Sequence, residues 1–246
     1  MANYNVRNCF KDIFGIYLLE SLSFEGDFDM PVIGCFDDIS KIDYLSLYSD
    51  LQDYQKTDNT CVCFYQYDHV FDGVHGLYNS IIYQDENKLN IFCERFKNVK
   101  YIVGPDYSLF GDFPVALQIY NIYKSRICMA WLMANTNAII IPNIRWTFDF
   151  SYDFVFDGIP KGSNIAISIL GQINNKNNKK MFFDGFRKAV DKIEPKSILV
   201  YGFVTKSNFN EIFGYAESKG IKIIIPHSKI DRYKKEDAIY WTRWQI

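Results

Sequence analysis

The residues best suited to chemistry are two carboxylates, Asp68 and Asp106, together with Ser108, Arg145, Trp146 and Tyr201. Each ends or follows a short apolar run: Cys61-Val-Cys-Phe-Tyr, Tyr101-Ile-Val, Ala138-Ile-Ile-Ile and Ser197-Ile-Leu-Val-Tyr. Two carboxylates brought together can act as general acid and base or hold a divalent metal. A guanidinium can fork onto a carboxylate or phosphate, and an indole can stack on a ring. Arg145 and Trp146 therefore form the best ligand-binding pair in the chain. The plainer alternative is that Arg145 pairs with Asp149 or Asp153 while Trp146 covers the edge of the core. Asp37, Asp38, His69, Asn143, Ser168 and His227 also stand at apparent strand ends, where an Asp commonly caps the next helix.

Other chemistries lack their signatures. With 3 His in the chain and neither a His-Glu-x-x-His nor a His-x-His pair, a zinc site is not indicated. Ser108 and Ser168 lack the Gly-x-Ser-x-Gly setting of a nucleophile elbow. Among the 6 Cys only Cys61 and Cys63 are close, at a spacing that puts both on one face of a strand. The cysteines read as reduced thiols, several of them buried as small hydrophobes. The opening residues show no secretory pattern, so a cytoplasmic protein is expected. No run approaches the length of a membrane span. At a net charge of −2 with scattered Lys and Arg, tight sequence-independent nucleic-acid binding is disfavoured. The 21 Phe and 18 Tyr read first as core, and only second as a stacking surface.

The elements that would position these residues alternate along the chain. Strands are expected at Pro31–Phe36, Cys61–Tyr65, Tyr101–Val103, Ala138–Ile141, Ile165–Leu170, Ser197–Tyr201 and Ile221–Ile225. Helices are expected over Ile39–Leu51, parts of Tyr78–Phe96, Val115–Met133, Lys180–Ile193 and Phe209–Lys219. The segment Val115–Met133 is apolar over much of its surface, so Leu117 and Trp131 are both expected in the core. Near-continuous Ile/Val runs indicate parallel strands covered on both faces. The fold class is α/β with a mostly parallel sheet, an incomplete or irregular (βα) barrel in preference to an open doubly wound sheet. No Gly-rich dinucleotide or phosphate loop follows the first strand, which would have favoured the open sheet. One domain over 1–246 is expected, with 1–29 peripheral and 229–246 a tail carrying Tyr240, Trp241 and Trp244. In either architecture ligands sit beyond the carboxyl ends of the strands.

Several short motifs recur in a definite order: Gly104-Pro-Asp-Tyr-Ser, Ile141-Pro-Asn-Ile-Arg-Trp, Ser151-Tyr-Asp-Phe-Val-Phe-Asp-Gly-Ile-Pro-Lys-Gly-Ser, Ala166-Ile-Ser-Ile-Leu-Gly and Tyr201-Gly202. Together they resemble the domain of unknown function 4417 family of bacteria, phages and mobile elements. That resemblance implies a mobile-element setting in a bacterial cytoplasm; it carries no established activity. Two functions remain open. One is a hydrolase acting on a small phosphorylated, nucleotide-like or glycosidic substrate, with Asp106 and Asp68 catalytic and Arg145, Trp146, Tyr201 and Ser108 binding the ligand. The other is a non-catalytic accessory protein that binds a host protein or sequesters a nucleotide. No cofactor is specified, although a divalent metal is compatible with the carboxylates; oligomeric state is left open.

Overall fold

Side chains alternate between two buried faces along each strand, and that alternation organises the molecule. In the run Cys61–Tyr65, Cys61, Cys63 and Tyr65 enter one apolar cluster, while Val62 and Phe64 enter another. Tyr101 and Val103 face the first cluster and Ile102 the second. Leu199 and Tyr201 do the same against Ile198 and Val200, whose outer neighbours form a third cluster. Such two-sided burial is the property of parallel strands covered by helices.

The structure is a computed structural model that describes residues 15–173, 176–233 and 238–239. A short hairpin, β1 (Phe24–Glu25) and β2 (Met30–Pro31), precedes β3 (Tyr44–Leu47) and β4 (Thr60–Cys63). The connection from β4 to β5 (Tyr101–Val103) carries one helical turn, α1 (Asp68–Phe71), and then α2 (Leu77–Ile82) and α3 (Glu86–Phe96). The long helix α4 (Val115–Asn135) leads to β6 (Ile139–Ile141). A 3-10 segment, Asp149–Asp153, stands before β7 (Ile165–Ser168). Helix α5 (Lys176–Ile193), β8 (Ser197–Tyr201), β9 (Val204–Thr205), α6 (Lys206–Ser218), β10 (Lys222–Ile224), β11 (His227–Ser228) and β12 (Ala238–Ile239) complete the order.

All the main pairings are parallel. One sheet has five strands in the order β11-β3-β4-β5-β6, the other three in the order β10-β8-β7. Between them lies an isolated parallel bridge, Asn143 to Ala166, with Ala166 N–H donating to Pro142 O at 2.8 Å and Ile144 N–H to Ala166 O at 2.9 Å. At the other edge β10 and β11 belong to one run interrupted by Ile225-Pro226; its first half pairs with β8 and its second with β3. Proline has no N–H for a ladder, so a change of partner at that point costs little. The mixed α/β class with parallel strands is as expected; among the described residues the parallel ladders form two sheets rather than one closed sheet, and β1-β2 and β9-β12 pair separately as antiparallel ribbons.

Several expected elements differ. Pro31–Phe36 is not a strand beyond Pro31 itself, and Ile39–Leu51 is not a helix: a turn at Ser40-Lys41 leads into β3. Ile33 and Cys35 are buried as expected of an apolar run, but Cys35 N–H donates to Ser163 Oγ at 2.9 Å and Cys35 O accepts from Asn164 N–H at 2.7 Å, so the segment lies across the start of β7 rather than in a ladder. Tyr78–Phe96 divides into two helices at Gln84, whose φ of 50° no helix admits. Helix α6 begins three residues before Phe209.

Helix α4 separates Leu117 from Trp131. Trp131 is 3% exposed, but Leu117 is 40% exposed, because the first turns of the helix project past the layer that buries its middle. Arg126, in that middle, is sealed from water, and its Nη2 donates to the carbonyls of Val155 and Asp157 at 3.2 and 3.3 Å. The aromatic tail residues from 240 onward and Cys9 lie outside the described residues; the five described cysteines are free. Among the described residues no helix is long and apolar enough to cross a membrane.

Candidate functional site

The parallel register decides which strand-end residues meet. Val103 of β5 is level with Ile141 of β6. The chains that leave these two strands therefore run side by side, carrying Asp106 on one and Asn143 and Arg145 on the other. Arg145 Nη1 lies 2.6 Å from Asp106 Oδ2, and Asn143 Nδ2 donates to Asp106 Oδ1 at 2.8 Å. Behind Asn143, Tyr65 donates its hydroxyl to Asn143 Oδ1 at 3.0 Å. Tyr65 in turn stacks on Tyr201, with ring centres 5.0 Å apart and planes 15° from parallel. The result is a chain of oriented donors, Tyr65 to Asn143 to Asp106, closed from the cleft side by Arg145.

Asp68 and Ser108 form a second unit next to the first. Ser108 donates its Oγ to Asp68 Oδ1 at 2.7 Å and its N–H to Asp68 Oδ2 at 3.1 Å. Asn121 of α4 donates to Ser108 O at 2.8 Å and so fixes this loop to the helix.

The electrostatics follow burial. Asp106 is nearly closed off, with 7% of its side chain exposed, while a quarter of the Arg145 side chain is open. Burial raises the Asp106 pKa above the ordinary carboxylate value; the Arg145 guanidinium and the Asn143 bond oppose the rise, and the nearby Asp68 adds to it. Burial also pushes the Tyr65 hydroxyl and the Cys63 thiol far up, and the charge of Asp106 adds to both shifts, so both stay neutral donors.

A narrow cleft opens beside the pair. It is lined by Asp106, Ile144, Arg145, Trp146, Ser168, Gln172 and Phe182, and its enclosed space is about 20 Å³, enough for one water-sized group, with the rest open to solvent. The cleft thus admits one small polar or anionic group beside Arg145, and the body of a larger ligand would lie outside it.

Trp146 is 8% exposed and packs against Phe182 and Phe156 at 5.4 and 6.3 Å between ring centres. Gly185 of α5 permits this: a Cβ there would come within 2.2 Å of the indole. Trp146 still forms part of the cleft wall. Tyr201 is 2% exposed and supports Tyr65 from within. The partner of Arg145 is Asp106, and not Asp149 or Asp153.

Other strand-end residues lie elsewhere. The backbone of Asp37 accepts from Asn164 Nδ2 at 2.7 Å, just before β7 begins, so Asp37 and Asp38 stand at the amino ends of the strands. His227 N–H donates to Asp43 O beside the start of β3, also at the amino end, and its Nδ1 is 2.8 Å from Asp231. His69 is exposed and lies against Tyr67. Ser168 Oγ accepts from Leu170 N–H at 3.3 Å. Tyr65 was not singled out from sequence; the alternation Cys61, Cys63, Tyr65 was the signal, since it puts the phenol on the inner face. Among the described residues no group of three His, Cys, Asp or Glu converges to hold a metal ion.

Parallel strands with helices between them, and a polar cluster where β5 and β6 end, place the protein in the mixed α/β class. The chain belongs to the family Domain of unknown function (DUF4417), whose model matches residues 22–221. It is similar to the "Gene 1 protein" of Mycobacterium phage L5, at 38% identity over 109 residues, which is 44% of this chain and 47% of that protein. It is similar also to the "Gene 1 protein" of Mycobacterium phage D29, at 34% identity over 108 residues, 44% of this chain and 40% of that protein. The matched stretch spans less than half the length of either relative. No solved structure matches.

Proposed function

We propose that the two sheets act as one irregular barrel of parallel strands and that the cleft at its carboxyl ends binds and hydrolyses a small phosphorylated or nucleotide-like substrate. Three features favour the barrel: the run Lys222–Ser228 pairs with β8 at one end and β3 at the other, the Asn143–Ala166 bridge joins the remaining edges, and Leu45, Cys61, Tyr101, Ile141, Ala166, Leu199 and Ile224 from seven strands share one cluster. The same features favour one domain. A barrel core filled in this way brings the carboxyl ends to one mouth.

The observation that carries the functional reading is the Asp106–Arg145 pair: a nearly buried carboxylate whose cation is the part open to the cleft. The asymmetry alone does not mark a site, since the Lys192–Asp157 pair shares it; here the exposed cation is a guanidinium that lines the cleft, and such a fork in a fixed geometry can take an anion. In this reading Arg145 holds the anionic group of the substrate. Asp106 and Asp68 divide the proton transfers between them. The similarity to phage proteins supports a setting inside an infected bacterium.

A second reading has its own support. Tyr67, Phe110, Phe148 and Leu170, all on loops that leave strand carboxyl ends, are each 47% exposed or more. Solvent-facing rings around a cleft suit an accessory protein that docks on a host protein. A thermal-shift screen of nucleotides, sugar phosphates and glycosides, each with and without Mg²⁺, separates the two. Stabilisation of the wild type by an anionic ligand, lost in Arg145→Ala, supports the cleft. Equal response of wild type and Arg145→Ala to every compound removes it and leaves the docking protein.

A further inference from the structure

We infer that anion binding at Arg145 is coupled to uptake of one proton by Asp106, so that the ligand itself arms the acid. The inference rests on the cleft reading above and adds to it. Asp106 Oδ1 is held by Asn143, but Oδ2 has Arg145 as its partner. Asp106 is nearly closed to water, so an anion entering the cleft reaches the guanidinium first. Once the anion shares or takes Nη1, Oδ2 faces a second negative charge at short range with little solvent between them. A proton from bulk water bonding to Oδ2 removes that repulsion. The new O–H then lies beside the bound anion, where a general acid would give it to a leaving-group oxygen. The electron pair of Oδ2 forms the bond, and no other reactant is required.

The groups facing Asp106 leave it as the proton's site. A guanidinium carries its charge at any working pH and so takes up no further proton. Tyr65 and Cys63 are neutral and remain so, because burial holds their protons. Asp68 is a second carboxylate whose charge acts on Asp106, and it accepts hydrogen bonds from the Ser108 hydroxyl and N–H. Burial has already raised the Asp106 affinity for a proton, and losing the full attention of Arg145 raises it further. The sign follows: the bound form holds more protons than the free form, so anions bind more tightly as pH falls. The dependence reaches about tenfold per pH unit between the free and bound pKa values and flattens outside them.

The test uses sulfate, which does not titrate from pH 5 to 8. Titration calorimetry of the full chain, repeated in buffers of different ionisation enthalpy, reads the protons taken up directly. Uptake approaching one proton per sulfate, with affinity falling as pH rises, supports the inference. Asp106→Asn mimics the protonated acid and should bind sulfate with little pH dependence and no uptake, with its melting curve showing that it is folded. Sulfate binding that needs Arg145 but takes up no proton in the wild type overturns the coupling and leaves the anion cleft intact. Absence of binding at every pH overturns both.

Discussion

Arg126 and Arg145 each stand near a carboxylate that is almost sealed from water, and the two neighbourhoods are built differently. Arg126 lies in the middle of α4 at 1% exposure, with Nη2 on the carbonyls of Val155 and Asp157. The Asp157 carboxylate is taken by Lys192 Nζ at 2.5 Å, and Nε and Nη1 of Arg126 have no hydrogen-bond partner among the described residues. Burial lowers its pKa to about 10, partly offset by the Asp157 charge. At the rim the carboxylate is likewise hidden, but the cation that pairs with it is a guanidinium that lines the cleft. A guanidinium shut in on all sides can only fix a loop; one with an open face can exchange its partner for a ligand. Burial of the charge alone does not mark a site, since it is more complete at Arg126. What distinguishes Arg145 is that its guanidinium both pairs with the hidden carboxylate and lines the cleft.

Four substitutions break or sharpen this contrast. Arg126→Ala should cost most, about 3–5 kcal/mol in urea denaturation, since it removes a buried charge, leaves two carbonyls without donors and opens a void. A loss below about 1 kcal/mol would mean that Arg126 holds nothing. Arg126→Met keeps most of the volume and ends the desolvation of a cation; only the carbonyls suffer, so roughly 1–3 kcal/mol is expected. If Met proves as costly as Ala, the charge rather than the filling fixes the loop.

Arg145→Ala should behave differently with pH. Without the guanidinium, Asp106 titrates further above its unfolded value, so the folded form carries the extra proton. That stability is complete below the ordinary carboxylate range and is lost as pH rises toward the folded pKa, by up to about 1.4 kcal/mol per unit. Melting temperatures from pH 4.5 to 8 should therefore match wild type at the acid end and diverge upward. Parallel curves would show that Arg145 does not set the Asp106 charge. Leu117→Asp should do least, within about 0.5 kcal/mol, since the residue is 40% exposed and an acid in the first turn of α4 suits the helix dipole. A fall of several degrees would place that face in the core after all.

Most of the main strands were legible as apolar runs, because a parallel strand covered on both sides needs apolar residues at successive positions. The first was not. Pro31–Phe36 has the composition of a strand but spans the start of β7, while Ile39, Ile42 and Leu45 mimic helical spacing and share the inner cluster from a turn and a short strand. Over so few residues, spacing by three cannot separate a helix from a turn entering a strand. Leu117 was misplaced for a related reason: α4 is apolar nearly all round, so its pattern does not say which turns are covered.

From sequence alone came the residues that follow the apolar runs, and with them Asp68, Asp106, Ser108, Arg145 and Tyr201 as candidates at strand ends. The alternation behind that reading is local, fixed by the geometry of an extended backbone two residues at a time. The partner of Arg145 is not local. Asp106 is 39 residues away, and it is preferred to Asp149 because Val103 and Ile141 are level across two parallel strands. Likewise the burial of Trp146 under Gly185, and the placement of Asp37, Asp38 and His227 at the amino ends, depend on how helix and strands pack across the molecule. Register and stagger are set by the summed packing of the whole core, which no single segment of the chain encodes.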